Sequence, residues 1–316
     1  MPSSLDRRTF LGASLGTGLT TSLTASTITP ASTAAPTPTV AAAAGNALNA
    51  DAKFKYRKAC KFGMTRGKTL KDRFQSAKDA GFDGVEMDSP NGLSTAEVIA
   101  AAQEVGIRIP GVVDSVHWQI TLSDPDAAKR EEGRRALETA IRDSHAYGGT
   151  SVLLVPAVCG SVSEEDAWSR SVEEIRKTLP LAADLGIHIL IENVWNRFLY
   201  EHDGPNNQSA EKFAAYLDAI DSPWVGAYFD IGNHQKYGLP AAWIRTLGSR
   251  LVKCDVKDWG VQGGWARIGD GDVDWAAVNQ ALSDIGFTGW VSAEVGGGDT
   301  AYLRTVAERV DRVFSL

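Results

Sequence analysis

Eight short apolar runs, each followed by an amphipathic stretch, set the limits on what this chain can become. The runs cover 59–64, 84–88, 108–113, 151–156, 188–192, 225–230, 251–256 and 290–294. Between and after them, apolar residues recur with helical period over 70–80, 95–105, 126–147, 165–185, 210–220, 241–247, 275–285 and 302–313. Several helical stretches stop at a glycine just before the next run: Ala80-Gly81, Val105-Gly106, Leu185-Gly186 and Ile285-Gly286. Glycine adopts the left-handed conformation that ends a helix, so these are helix-to-strand joints. Strands alternating with helices predict a parallel sheet. Eight such units predict closure into a single α/β domain, a (β/α)8 or TIM barrel. No G-x-G-x-x-G follows a run, which removes support for a dinucleotide fold. The run Gly296-Gly297-Gly298 lacks the Walker lysine and reads equally as a ligand-adjacent or a flexible loop.

Four of the runs close on an acid: HILIE at Glu192, VGAYFD at Asp230, LVKCD at Asp255 and WVSAE at Glu294. Alternation along a strand puts Glu192 with Leu190, Asp230 with Tyr228, Asp255 with Lys253, and Glu294 with Ser292 on one face. In a closed barrel these side chains converge on one mouth. Such a cluster repels itself unless a cation sits inside it, so the spacing predicts a divalent-metal site. The competing reading makes each acid a separate helix N-cap. Aspartate caps well, but glutamate is not among the favoured cap residues, and two of the four are Glu.

The chain of 316 residues begins SSLDRRTFLGASLG after its first two residues. Arg7 and Arg8 precede Phe10, Leu11 and a weakly apolar Gly/Ala/Thr/Leu stretch, which resembles a cleavable twin-arginine signal peptide. Residues 25–50 are rich in Thr, Pro, Ala and Ser and read as a processing region and linker. The expected division is therefore 1–50 for leader and linker and 51–316 for the barrel. Export to a periplasm or secretion follows as an expectation. The leader carries one Asp and two Arg, so a net charge of −7 becomes about −8 without it. That acidity argues against nucleic acid as a partner. No later segment is apolar enough to stay in a membrane after cleavage. Cys60, Cys159 and Cys254 are far apart and odd in number, and read as buried thiols.

The phrases DGVEMD, IENVWNRF, SPWVGAYFDIGN, VKCDVKDW, IGDGDVDW and WVSAEV, with the long stretch from HWQITLSDPD to TSVLLVP, resemble the sugar isomerase/epimerase superfamily of xylose isomerase-like barrels. The likeness covers residues 58–314. It is nearest to L-ribulose-5-phosphate 3-epimerases and hexulose-6-phosphate isomerases, with D-tagatose 3-epimerase more distant. The resemblance implies one divalent cation, Mn²⁺ first and Mg²⁺, Co²⁺ or Zn²⁺ as alternatives. It implies Glu192, Asp230 and Glu294 as ligands, with Asp255 where the family carries histidine in an H-x-K-D phrase. An all-carboxylate site favours Mn²⁺ or Mg²⁺ over Zn²⁺. The resemblance also implies Glu192 and Glu294 as the catalytic pair, one removing a proton beside a carbonyl and the other returning one.

Further substrate contacts are expected at His117 and Trp118 after strand three, at Glu86 in strand two, and at Asn233 three residues beyond Asp230. Lys257 shares the face of Asp255, and Arg267 follows strand seven; a surface lysine and a surface arginine are the competing readings. His234 is a substitute candidate for the missing histidine, while His145, His188 and His202 read as structural. The expected partner is a small sugar or glycoside, with homo-oligomerisation open. The expected activity is that of a metal-dependent keto-sugar isomerase or epimerase, acting on an unphosphorylated substrate because sugar phosphates are cytoplasmic. A lyase cleaving 3-keto-glycosides by the same proton abstraction is the alternative. A sugar-binding barrel without activity and a relative of apurinic endonucleases are weaker: both glutamates are present, and five histidines are few for a multi-zinc site.

Overall fold

Eight strands close into a parallel barrel in the computed structural model, which describes residues 56–315. The expected leader, residues 1–50, lies outside the described residues. In chain order the strands are β1 (Tyr56–Lys61), β2 (Gly84–Ser89), β3 (Val112–Asp114), β4 (Ser151–Leu154), β5 (His188–Glu192), β6 (Val225–Asp230), β7 (Leu251–Val256), a two-stranded hairpin of β8 (Asp258–Gly260) and β9 (Gly264–Ala266), and β10 (Gly289–Ala293). The barrel runs β1-β10-β7-β6-β5-β4-β3-β2 and back to β1. The helices are α1 (Leu70–Asp79), α2 (Thr95–Val105), α3 (Ala127–Ala146), α4 (Glu164–Leu185), α5 (Glu211–Ile220), α6 (Pro240–Leu247), α7 (Trp275–Asp284) and α8 (Thr300–Phe314). Gly106 and Gly186 end α2 and α4 in the left-handed conformation, as their positions before strands predict.

Strand alternation splits the core in two. Outward residues such as Ile189, Ile191, Phe229 and Cys254 pack among the helices in one large apolar cluster. Inside the barrel the apolar set is small: Leu153, Leu190 and Tyr228, flanked by Val113 and Val252. The rest of the interior is charged. Lys61, Glu86 and Lys253 are buried there, with both lysines paired to the glutamate. Gly111 makes this possible, because a Cβ on it would lie 2.9 Å from Lys253 Nζ and 2.6 Å from the Ser151 carbonyl oxygen.

Three elements differ from expectation. β1 stops at Lys61, and Phe62–Met64 forms a 3₁₀ turn. The expected third strand joins its neighbour at Arg108 by a single bridge and becomes regular only at Val112. Pro110, which has no N–H to donate, interrupts the ladder. The β8–β9 hairpin is an addition to the expected elements. It forms between two strands and carries Trp259 and Trp265 opposite each other. The cysteines are all free, but only Cys60 and Cys254 are buried; Cys159 is half-buried. Among the described residues no helix is long and apolar enough to cross a membrane.

Candidate active site

The four acids predicted from the run ends do meet. Glu192 and Asp230 are the last residues of β5 and β6, Asp255 is the penultimate residue of β7, and Glu294 follows β10 directly. One oxygen from each lies within 4.8 Å of the others. Parallel register places Asp230 directly beside Asp255 on adjacent strands. None of the four caps a helix: α5 to α8 begin after Ala210, Leu239, Asp274 and Asp299.

Each carboxylate is held by a different device. Asp230 Oδ1 accepts the backbone N–H groups of Gly232 (2.9 Å) and Asn233 (2.7 Å). Asn193 ties β5 to β6, accepting the Asp230 N–H at 2.7 Å and donating to its carbonyl at 2.9 Å. Asn233 donates to Glu192 Oε1 at 3.3 Å, so this expected substrate contact also orients a glutamate. Lys257 reaches Asp230 Oδ2 at 2.9 Å and Glu294 Oε2 at 2.6 Å. Lys61 reaches Asp255 Oδ1 at 2.9 Å and Glu86 Oε2 at 2.7 Å.

The charges act on one another strongly. Burial pushes Glu192 well above the usual carboxylate range, and repulsion from Glu294 adds to it. Burial pushes Asp255 well above that range and raises Asp230, offset in part by Lys61 and Lys257 respectively. Glu294 moves the other way: burial opposes its charge, but Lys257 and Lys61 outweigh it. Both lysines are held protonated against burial, Lys61 first by Asp255 and Lys257 first by Asp230.

A divalent cation fits this arrangement. Asp255 Oδ2 is fully buried and accepts no hydrogen bond from the described residues. A buried acceptor of this kind is costly unless something binds it. The donor set is all oxygen, which suits a hard cation.

The remaining expected residues fall into two groups. His117 and Trp118 line a cleft of about 1190 Å³ together with Asp114, Glu192 and Glu294. The Val155 N–H donates to His117 Nδ1 at 3.2 Å, which puts the ring proton on Nε2. Burial lowers the His117 pKa to about 3, so the ring is a neutral donor. Arg267 lines a second cleft of about 930 Å³ with Lys257, Trp265, Tyr302 and Glu294. Glu294 is thus common to both clefts. Glu86 sits elsewhere. It is buried inside the barrel, accepting from Lys61, Lys253 at 3.1 Å and Tyr228 at 2.6 Å. These cations outweigh burial and hold its pKa down at about 2. His234 packs against Trp243 and Tyr200, with ring centroids 4.7 Å away, and is not in the carboxylate cluster.

Sequence reasoning missed Lys61 and an aromatic wall. Trp195, Trp259 and Trp265 meet with ring centroids 4.9–5.1 Å apart, and the Trp195 indole donates to the Asn233 carbonyl. The signal for Lys61 was present: a lysine inside the apolar run that opens the barrel.

A family model described as a xylose isomerase-like TIM barrel matches residues 74–311. The chain belongs to the xylose isomerase-like TIM barrel family. Among curated proteins it is similar to L-ribulose-5-phosphate 3-epimerase UlaE of Escherichia coli O157:H7. The two are 24% identical over 241 residues, covering 72% of this chain and 82% of the relative. Solved structures similar to this xylose isomerase-like barrel include 3-keto-D-glucoside 4-epimerase YcjR of E. coli, with TM-score 0.67, 16% identity, and 83% and 100% of the two chains covered. Another is the IOLI protein with a bound zinc atom, with TM-score 0.68, 15% identity, and 82% and 98% covered.

Proposed function

We propose that this chain is a divalent-metal-dependent keto-sugar isomerase or epimerase. The convergence of Glu192, Asp230, Asp255 and Glu294 within 4.8 Å at the barrel mouth carries the reading. The curated relative, an epimerase of a keto sugar phosphate, supports it. Glu192, Asp230, Asp255 and Glu294 hold the cation, with Mn²⁺ the first candidate. When bound, the cation polarises a sugar carbonyl and so acidifies the adjacent C–H.

The chain's own residues do the rest. One of Glu192 and Glu294 takes the proton from the carbon beside the carbonyl, and the C–H electron pair moves into an enediolate. The other glutamate returns a proton, from the opposite face for epimerisation. They stand on β5 and directly after β10, across the cluster from each other in barrel order. Lys257, already paired with Glu294, supplies positive charge where the enediolate oxygen develops. His117 donates from Nε2, and Trp118, 45% exposed, gives a sugar ring an apolar face.

We propose export by the twin-arginine route, from Arg7 and Arg8 in the leader, and an unphosphorylated substrate follows from that proposal. The two clefts meeting at Glu294 favour a second reading, cleavage of 3-keto-glycosides. In that reaction loss of the C2 proton expels the C1 substituent with the C–O electron pair. Incubating the Mn²⁺-loaded protein in D₂O with ketohexoses and 3-keto-glycosides, followed by NMR, separates the two. A deuterated epimer or isomer, abolished by Glu192→Gln, supports the isomerase. Aglycone release without an epimer moves the assignment to a lyase. No reaction with either set leaves a sugar-binding barrel.

A further inference from the structure

We infer that Lys61 is a positioning residue that turns Asp255 into a neutral, single-oxygen metal ligand. The inference rests on the metal reading above. An aspartate brings two oxygens and a full negative charge to a cluster that already holds three carboxylates. Lys61 addresses both properties at once. Its ammonium pairs with Asp255 at 2.9 Å, with Oδ1 the nearer oxygen, which leaves Oδ2, fully buried and without a hydrogen bond, as the oxygen that faces the cation. Its charge cancels that of the aspartate.

Lys61 is itself fixed from below. Glu86 accepts from it at 2.7 Å, and Glu86 is held in turn by Lys253 and the Tyr228 hydroxyl. The Lys61 ammonium also lies 4.5 Å from the centre of the Tyr228 ring. Lys61, Lys253, Glu86 and Asp255 form a formally neutral quartet filling the barrel interior. Above it remain Glu192, Asp230, Glu294 and Lys257, with a formal charge of −2. One divalent cation neutralises that set. Without Lys61 the count becomes −3, and Asp255 keeps both oxygens loose.

A neutral imidazole in place of Asp255 needs no ammonium beside it, and this gives a test independent of turnover. Mn²⁺ binding to the full chain is measured by calorimetry, and the bound ion by electron paramagnetic resonance. Asp255→His is expected to weaken Mn²⁺ binding at least tenfold, because it sets a ligand ring against an ammonium. Lys61→Met adds one negative charge to the site and frees the aspartate, so it is expected to keep Mn²⁺ bound but change its resonance spectrum, as Asp255 takes the ion with both oxygens. The double substitution is expected to bind within about threefold of the parent, and Lys61→Arg closer still. Melting curves establish folding of each variant. If Lys61→Met does not fold, the comparison of Asp255→His with the double substitution still decides, because Glu86 retains Lys253 and Tyr228. A parent-like resonance spectrum in Lys61→Met, or a double substitution that binds no better than Asp255→His, overturns the inference and leaves the metal reading intact. A parent protein that binds neither Mn²⁺, Mg²⁺ nor Co²⁺ overturns both.

Discussion

Glu192 is the residue whose loss separates chemistry from architecture. Its side chain is held by Asn233 at 3.3 Å and has no lysine or arginine ion pair among the described residues, so Glu192→Gln keeps the packing while removing the proton carrier and one proposed metal ligand. Solvent-proton exchange is expected to fall by about 10²–10⁴-fold, the usual contribution of a general acid or base, with a metal-free melting temperature no lower than the parent's. Asn233→Ala is expected to cost less, about tenfold, because the glutamate remains but is less well oriented. Asp114 supplies a pH signature. Burial raises its pKa from 3.8 to about 7, against the hydrogen bond from the Val116 N–H, which lowers it. The unfolded chain loses this proton near pH 4 and the folded chain near pH 7. Stability from this group is therefore full below pH 4 and falls as pH rises to 7. Asp114→Asn removes that fall, so urea unfolding at pH 8 is expected to show the variant more stable than the parent. The ceiling is about 4 kcal/mol at roughly 1.4 kcal/mol per pH unit. No difference between pH 5 and pH 8 counts against a buried neutral carboxyl.

At the scale of elements, the sequence showed most where apolar period and punctuation agree. All eight barrel strands lie within a few residues of the expected runs, because each run is bounded by glycine, proline or a polar turn. The errors have local causes. Arg57 and Lys58 in the first half of β1, and the apolar Phe62 and Met64 just past its end, shifted a boundary judged by apolarity alone. Pro110 delayed β3. The β8–β9 hairpin escaped because its strands are three residues long and partly exposed, too short for alternation to register. The hairpin brings Trp265 beside Lys257, whose ammonium is 5.6 Å from the ring centre. Trp265 is 51% exposed and stacks on Trp195 at 5.1 Å. Trp265→Ala is expected to raise KM for a cyclic sugar about fivefold, near 1 kcal/mol, with little change in kcat or folding. An unchanged KM places the sugar entirely on the Trp118 side.

For the whole molecule, the barrel and the acid cluster follow from one pattern, a periodic alternation whose strand ends carry the charge. What the pattern cannot encode is which cations face those acids. Lys61 approaches Asp255 from a strand almost two hundred residues away in sequence, and only closure of the barrel brings them together. The same closure concentrates four carboxylates whose repulsion a cation relieves. Mn²⁺ at about 100 times its Kd is therefore expected to stabilise the fold by about 2.7 kcal/mol, or about 5–10 °C in Tm, and a chelator to reverse the gain. The most direct test of the whole account is the rate of deuterium incorporation from D₂O into a ketohexose or 3-keto-glycoside, measured with Mn²⁺ bound and again after chelation. Incorporation beside the carbonyl that stops on chelation and returns with Mn²⁺ is the predicted result. Incorporation that continues unchanged in the chelated protein would contradict it.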